Sequence, residues 1–383
     1  YRRSDLKAVK GRFFFGGAHV PDRKSLAKDA PIEELPEPQE VTIALLQSLG
    51  KPAIACVSVG DTVAKGQLIA KADGAISSDV FASISGTVTE IKALDNECGR
   101  QDTFIVIKGD GSGKTQYLPP LSDPSPEQIV ERVKEAGIVG LGGAGFPTAV
   151  KLKPRTPVDT FIINGSECEP YLTCDHRVMI EFTEEVARGA RYIAKALGVS
   201  KIMIGIEKNK PDCIAAFEKF DDIQVVALRK IYPMGGEKQL IYSATGRKVG
   251  YGQLPADVGV VVNNVATCLS VCEAIEQGKP DVDSILTVSG ESITRPANVK
   301  VPVGTSIAYI VEQCGGEKSA PKKVVLGGPM TGVAIKSYDL FVKKTTSGIL
   351  LLSEKEAAAE EPTPCLNCGL CADHCPMHLM PMN

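Results

Sequence analysis

Four cysteines near the end of this 383-residue chain, Cys365, Cys368, Cys371 and Cys375, follow the spacing Cys-x-x-Cys-x-x-Cys-x-x-x-Cys and are followed by Pro376. Three thiolates two residues apart can wrap one cube of iron and sulfide, and the trailing Cys-Pro supplies a further ligand, so the run reads as an iron–sulfur site. A structural zinc site takes a tetrahedral four, usually split into two well-separated pairs. Where two clusters are built on this motif, the fourth cysteine ligates the other cluster. A second motif is therefore expected beyond Asn383, and the chain is read as truncated. His374 and His378 flank the run and are read as surface or packing residues. The other eight of the 12 cysteines lie singly from Cys56 to Cys314. That distribution favours one metal site in a reducing compartment over a disulfide framework.

The second group able to do chemistry is the loop from Gly140 to Thr148, with glycines at 140, 142, 143 and 145. Gly140, Gly142 and Gly145 formally satisfy a dinucleotide fingerprint, which needs a strand before it and a helix after it. Here a helix precedes it. What remains is a stretch of bare backbone N–H groups that a flat ring or a phosphate can approach closely. Two further segments look like sites and are read as structure. Gly111-Ser112-Gly113-Lys114-Thr115 ends like a phosphate-binding loop, but Lys108 stands where that loop needs glycine. Lys71 sits on a hairpin of the kind that carries biotin or lipoate, with no methionine beside it.

Elements must hold these groups in place. Residues 41–108 are short β-prone runs separated by Gly and Asp, which predicts a barrel-sandwich of biotinyl/lipoyl-carrier type. Residues 109–126 are rich in Gly, Ser, Pro and Asp and mark a linker. Ser125 and Pro126 then predict a helix start, with Ile129, Val130, Val133 and Ala136 at helical spacing. Strands are expected at 160–163, 201–206 and 224–228, helices at 183–197 and 211–220, and an apolar run at 258–262. This alternation predicts a Rossmann-like α/β layer with a largely parallel sheet. Strand-like runs return from Ile285 to Val342 around a helix at 306–313, a small β-grasp-type unit. The expected domains are 1–110, 126–272, 280–345 and the start of a ferredoxin-type segment at 354–383. The 43 Lys plus Arg against 46 Asp plus Glu leave a net charge of -3. That balance argues against a nucleic-acid partner, and no apolar run is long enough to span a bilayer.

Four ordered motifs carry a family resemblance: Gly142 to Lys151, Asn164-Gly165-Ser166-Glu167-Cys168-Glu169-Pro170, Tyr232 to Glu237, and Asn263-Asn264-Val265. They resemble the flavoprotein subunit of respiratory complex I. With Gly16-Gly17-Ala18-His19, the barrel, the run Gly235 to Gln239 and the terminal cysteines, the whole chain resembles the RnfC family, peripheral subunits of Rnf-type ferredoxin:NAD oxidoreductases. The resemblance implies FMN against Gly142, Gly143 and Gly145, Lys151 near its phosphate, and Asn164, Asn263 and Asn264 on flavin or ribityl groups. It implies Phe146 stacked on a nicotinamide or adenine ring, with Glu167, Glu169, Tyr232, Gly235 and Glu237 lining an NAD(H) pocket. It further implies 4Fe–4S clusters, two of them in a full chain, and an SLBB-like third domain. The expected partners are the membrane and peripheral subunits of the complex, with ferredoxin reached through one of them, on the cytoplasmic face of the membrane. This chain departs from the complex I pattern at Ser166, Cys168 and Gly236, where that pattern has Asp, Gly and Glu. The alternatives are a soluble NADH-dependent flavin and iron–sulfur dehydrogenase or hydrogenase subunit, a docking module without FMN, and a biotin-dependent carrier.

Overall fold

A computed structural model describes residues 8–358 and 364–381. The helix Pro126–Glu135 starts as its sequence requires. Ser125 accepts from the Gln128 N–H at 3.3 Å while Gln128 accepts from the Ser125 N–H at 2.8 Å, a complete capping box. Its apolar residues Ile129 and Val133 are fully buried.

A five-stranded, all-parallel sheet forms the centre of the α/β unit. Its order is Val9–Lys10, Ile223–Leu228, Lys201–Glu207, Thr160–Gly165, Val260–Asn264. Alternate residues face two separate cores: Phe161 and Ile163 pack under the helices Pro126–Glu135, Thr183–Leu197 and Val265–Glu276, and Ile162 packs with Leu240 and Ile241 on the other face. Burial on both faces is why these strands read as unbroken apolar runs. From Thr160–Gly165 the chain adds two strands on one side, then crosses to put Val260–Asn264 on the other. Strand order therefore reverses at Asn164 and Asn264, which are paired neighbours at the carboxyl ends. In open α/β sheets that reversal is where ligands bind.

The barrel consists of a four-stranded sheet (Glu40–Ala44, Gln101–Gly109, Gly86–Asp95, Thr62–Val63) and a three-stranded one (Ile54–Ala55, Leu68–Lys71, Val80–Phe81) around one core. Within the expected first domain of residues 1–110, barrel strands begin only at Glu40. The preceding segment lends Val9–Lys10 to the α/β sheet and Ile32–Glu34 to the third unit. Lys71 is held by Asp79 at 2.7 Å, and Gly111 and Gly113 face open space at a loop tip. The third unit is a six-stranded mixed sheet in which Gly348–Leu352 runs parallel to Asp283–Ser289, with the helix Ile307–Gln313 on its core. No helix among the described residues is long and apolar enough to cross a membrane.

Candidate functional site

The carboxyl ends of Thr160–Gly165 and Val260–Asn264 open into a cleft of about 630 Å³. One wall is the glycine loop at Gly142, Gly143 and Ala144. The opposite wall comes from the third unit, through Gly327, Gly328 and residues 345–347, and the barrel adds Glu97. The glycine loop follows a helix, as expected, and Leu141 N–H donates to Thr267 Oγ1 at 3.1 Å, tying it to the helix Val265–Glu276. A Cβ on Gly142 would lie 2.8 Å from the Asn264 side chain, so only glycine lets the loop lie flat there, while Gly143 has nothing opposite it. This bare surface is the part of the site that fits a planar ring.

The cleft gathers Gly142, Gly143, Asn164, Glu167, Glu169, Tyr232, Gly235 and Asn264, while Gly145, Phe146, Lys151, Glu237 and Asn263 are not among its lining. Lys151 pairs with Glu237 at 2.9 Å and donates to the Val262 carbonyl at 3.0 Å. The asparagines are loop fasteners as well as wall: Asn164 donates to the Gly235 carbonyl at 2.9 Å, and Asn264 caps its helix by accepting from Ala266 N–H at 2.7 Å. Asn263 is buried with neither its amide donor nor its acceptor matched, and Ser166 Oγ on the wall is also unmatched. Buried polar groups are normally satisfied, so Ser166 marks a place on the wall where a polar ligand fits, whereas Asn263 does not line the cleft.

The acidic residues differ sharply in their commitments. Glu167 is buried, ion-paired with Lys24 at 3.2 Å, and accepts from Asp175 N–H at 2.9 Å. Lys24 also donates to the Glu169 and Leu172 carbonyls. Glu169 reaches the third unit, accepting from Met330 N–H at 3.0 Å and Thr331 Oγ1 at 2.5 Å. Burial pushes the Cys168 thiol up to about 11, so it sits at the cleft as a neutral group accepting from Gly235 N–H. Burial also lifts the Tyr232 hydroxyl to about 12. Asp175, which no sequence motif marks, lines the cleft and accepts from Asn264 Nδ2 at 2.7 Å. It lies in the first turn of a helix, Cys174–Glu181, that no periodic pattern announced. The third unit's wall had no signal either, because Gly327, Gly328 and residues 345–347 lie in ordinary turns.

At the other end of the chain, Cys365, Cys368 and Cys371 are exposed and Cys375 is partly buried. Asn367 N–H donates to Cys365 Sγ at 3.3 Å, and left-handed turns at Asn367 and Gly369 lead into the helix Leu370–His374, which carries Cys371. Four sulfur donors on a turning backbone with an N–H aimed at sulfur form a donor set suited to an iron–sulfur cluster. His374 is exposed, with Nδ1 bonding to the Leu370 carbonyl of its own helix at 2.9 Å. The segment is seated on the molecule: Gly17 N–H donates to the His374 carbonyl at 2.8 Å, and Gln239 Nε2 meets Met377 Sδ at 2.9 Å. The next residue, Ala18, pairs through both backbone groups with Tyr232 on the cleft wall, at 2.7 and 2.9 Å.

Three family models match separate parts of the chain. Residues 133–273 match the Nuo51 FMN-binding domain, residues 12–112 the RnfC barrel sandwich hybrid domain, and residues 285–334 the SLBB domain. The chain is 43% identical to the C subunit of the proton-translocating ferredoxin:NAD(+) oxidoreductase complex of Clostridium ljungdahlii, covering 96% of this chain and 82% of that one. It is 40% identical to the Na(+)-translocating counterpart of Acetobacterium woodii, covering 98% and 87%. It is 42% identical to the C subunit of the ion-translocating oxidoreductase complex of Rhodobacter capsulatus, covering 96% and 73%.

Proposed function

Since this chain belongs to the RnfC family, the C subunits of ion-translocating ferredoxin:NAD(+) oxidoreductase complexes, we propose that it passes electrons between NAD(H), FMN and 4Fe–4S clusters. When bound, FMN supplies the exchange between a two-electron hydride donor and one-electron carriers. The chain's own residues do the rest. Gly142 and Gly143 admit the ring, Ser166 offers its unmatched hydroxyl to its polar edges or tail, and Asn263, next in the strand to the wall residue Asn264, keeps its expected flavin or ribityl contact as part of this proposal. Asn164 and Asn264 hold the loops around it, and Lys151 is available to a phosphate if it exchanges Glu237 for that anion. Phe146, Glu167, Glu169, Tyr232, Gly235 and Glu237 are assigned to the nucleotide side. Cys365, Cys368, Cys371 and Cys375 hold the cluster.

The observation that carries this reading is the seating of the cysteine segment. Gly17 holds His374, and its neighbour Ala18 pairs with Tyr232, so a few residues link the cluster ligands to the cleft. Electrons would leave toward partner subunits in the membrane, where ion movement belongs, with ferredoxin met through one of those partners. We place the protein on the cytoplasmic face, with two clusters in the full protein and domains at 1–110, 126–272, 280–345 and 354–383.

The test is anaerobic reconstitution with FMN, iron and sulfide, followed by optical titration with NADH. Bleaching of bound flavin with subsequent cluster reduction is expected. Clusters that assemble while FMN fails to bind would overturn the flavin assignment and leave an iron–sulfur scaffold.

A further inference from the structure

Behind the cleft lies a second, smaller cavity of about 50 Å³, and Leu141, Cys174, Asp175, Thr346 and Ser347 line both. The far side of the small cavity is formed by Lys279, Asp281 and Asp283, where the third unit begins. The space is sufficient for about one to three waters, and its lining is polar enough to hold them.

Asp175 lies deep in the molecule but keeps a partly exposed edge. One of its oxygens takes the Asn264 amide, and its charged neighbours are Glu167, Lys24 and Lys210. Both lysines are already engaged, Lys24 with Glu167 and Lys210 with Glu207. Asp281 is 6% exposed and makes no ion pair among the described residues, and its Oδ2 has no hydrogen-bond partner. Its charged neighbours are Lys344, Lys279, Glu273 and Asp283. Lys344 is spent on the Asp79 and Gly137 carbonyls, and Lys279 is paired with Glu273 and Asp283. Asp175, partly exposed toward the cleft, and the buried Asp281 thus share one small polar chamber without a cation of their own.

The proposed chemistry has protons to move. With FMN bound, NADH and one proton would reduce it, and its reoxidation by the iron–sulfur carriers would release two protons and two electrons, so that overall NADH → NAD⁺ + H⁺ + 2 electrons. For each pair of electrons one proton would enter and two would leave a cleft walled on three sides. We propose that Asp175 and Asp281, joined through the small cavity, form a proton relay between the flavin cleft and the junction of the α/β and third units. Asp175 takes a proton at the cleft, the cavity conducts it, and Asp281 passes it outward; in the reverse direction the same groups deliver it. Their proton affinities suit that role, because burial and the nearby Glu167 push Asp175 up to about 7, and burial pushes Asp281 up to about 6.

This relay rests on the flavin reading, and the tests separate the two. Infrared titration of the flavin-free protein should show protonated-carboxyl bands vanishing near pH 7 and near pH 6, the first absent in Asp175→Asn and the second in Asp281→Asn. In the FMN- and cluster-loaded protein, electron passage from flavin to cluster after an NADH pulse should slow about tenfold or more in Asp175→Asn and lose its inflection near neutral pH. Asp281→Ala should slow similarly and recover with added formate, a small acid able to stand in for the missing carboxyl. Carboxyl bands that titrate near ordinary values, or an unchanged pH profile in Asp175→Asn with flavin retained, would overturn the relay alone. Wild-type protein that takes up no FMN would overturn the flavin reading and the relay with it. If Asp281→Ala fails to fold, the same pH profile measured in Asp281→Asn decides its part.

Discussion

Beneath the cleft, Lys24 and Lys210 are buried with Glu167 and Glu207 and lie beside the partly exposed Asp175, and with Asp175 protonated the five sum to zero charge. Raising the folded-state affinity of Asp175 for its proton makes the native state the better proton binder between pH 4 and about 7. Stability from this group is therefore full below its unfolded pKa and is lost as pH rises through about 7. The melting temperature of Asp175→Asn should accordingly gain on wild type between pH 5 and pH 8, by about 2–4 °C or more. A difference that is flat with pH would show that the carboxyl titrates normally. At the cysteines, Cys368→Ser should cut iron per chain while leaving FMN binding intact, because the cleft holds no cysteine of the cluster run. Iron and flavin analysis of one sample decides it, and loss of both together would mean that the two sites depend on each other for folding.

Elements are held to one another by unequal means. The helix Pro126–Glu135 begins on the Ser125–Gln128 capping box, and Ser125→Ala should cost about 1 kcal/mol in denaturant unfolding. The short 3-10 turn at Lys24–Leu26 has no such cap, yet its lysine side chain is 7% exposed and binds Glu167 and the Glu169 and Leu172 carbonyls. Replacing Lys24 with Met strands Glu167 as a buried, unpaired charge, a loss of about 3–5 kcal/mol. Unfolding curves of the two variants should differ by that margin. A small effect at Lys24 would mean that Glu167 takes up a proton instead, which a restored stability at low pH would reveal.

At the scale of the whole molecule, the cleft exists because three units meet. Glu169 reaches from the α/β unit to Met330 and Thr331, and the N-terminal segment threads a strand into two sheets before the barrel begins. The cysteine segment depends on the turn at Gly16, whose φ of +90° suits glycine and whose Cβ would run into the His374 carbonyl. Gly16→Val should therefore unseat the segment. NADH should still bleach the flavin, while electron passage to the cluster slows by about tenfold or more in stopped-flow traces. Unchanged passage would mean that the seating through Gly17 and Tyr232 is not the route.

Much of this molecule was legible locally. The spacing of Cys365, Cys368, Cys371 and Cys375 pointed to the proposed cluster donors, because ligand chemistry over a short loop needs no tertiary context. The apolar runs at 160–163, 201–206 and 224–228 announced a sheet buried on both faces, and Ser125-Pro126 announced a helix start, because propensity and capping act over a few residues. What the chain alone did not disclose was which distant residues share a surface. Asp175 and Asp281 stand 106 positions apart, and only the docking of the third unit on the α/β unit puts both beside one cavity. Likewise Lys151 and Asn263, plausible as ligand residues by type, are not in the cleft lining, while Gly328 and Ser347 are. Residue type and spacing determine what chemistry a chain can offer. Long-range packing, through the burial and charge it imposes, decides which of those groups meet and in what protonation state.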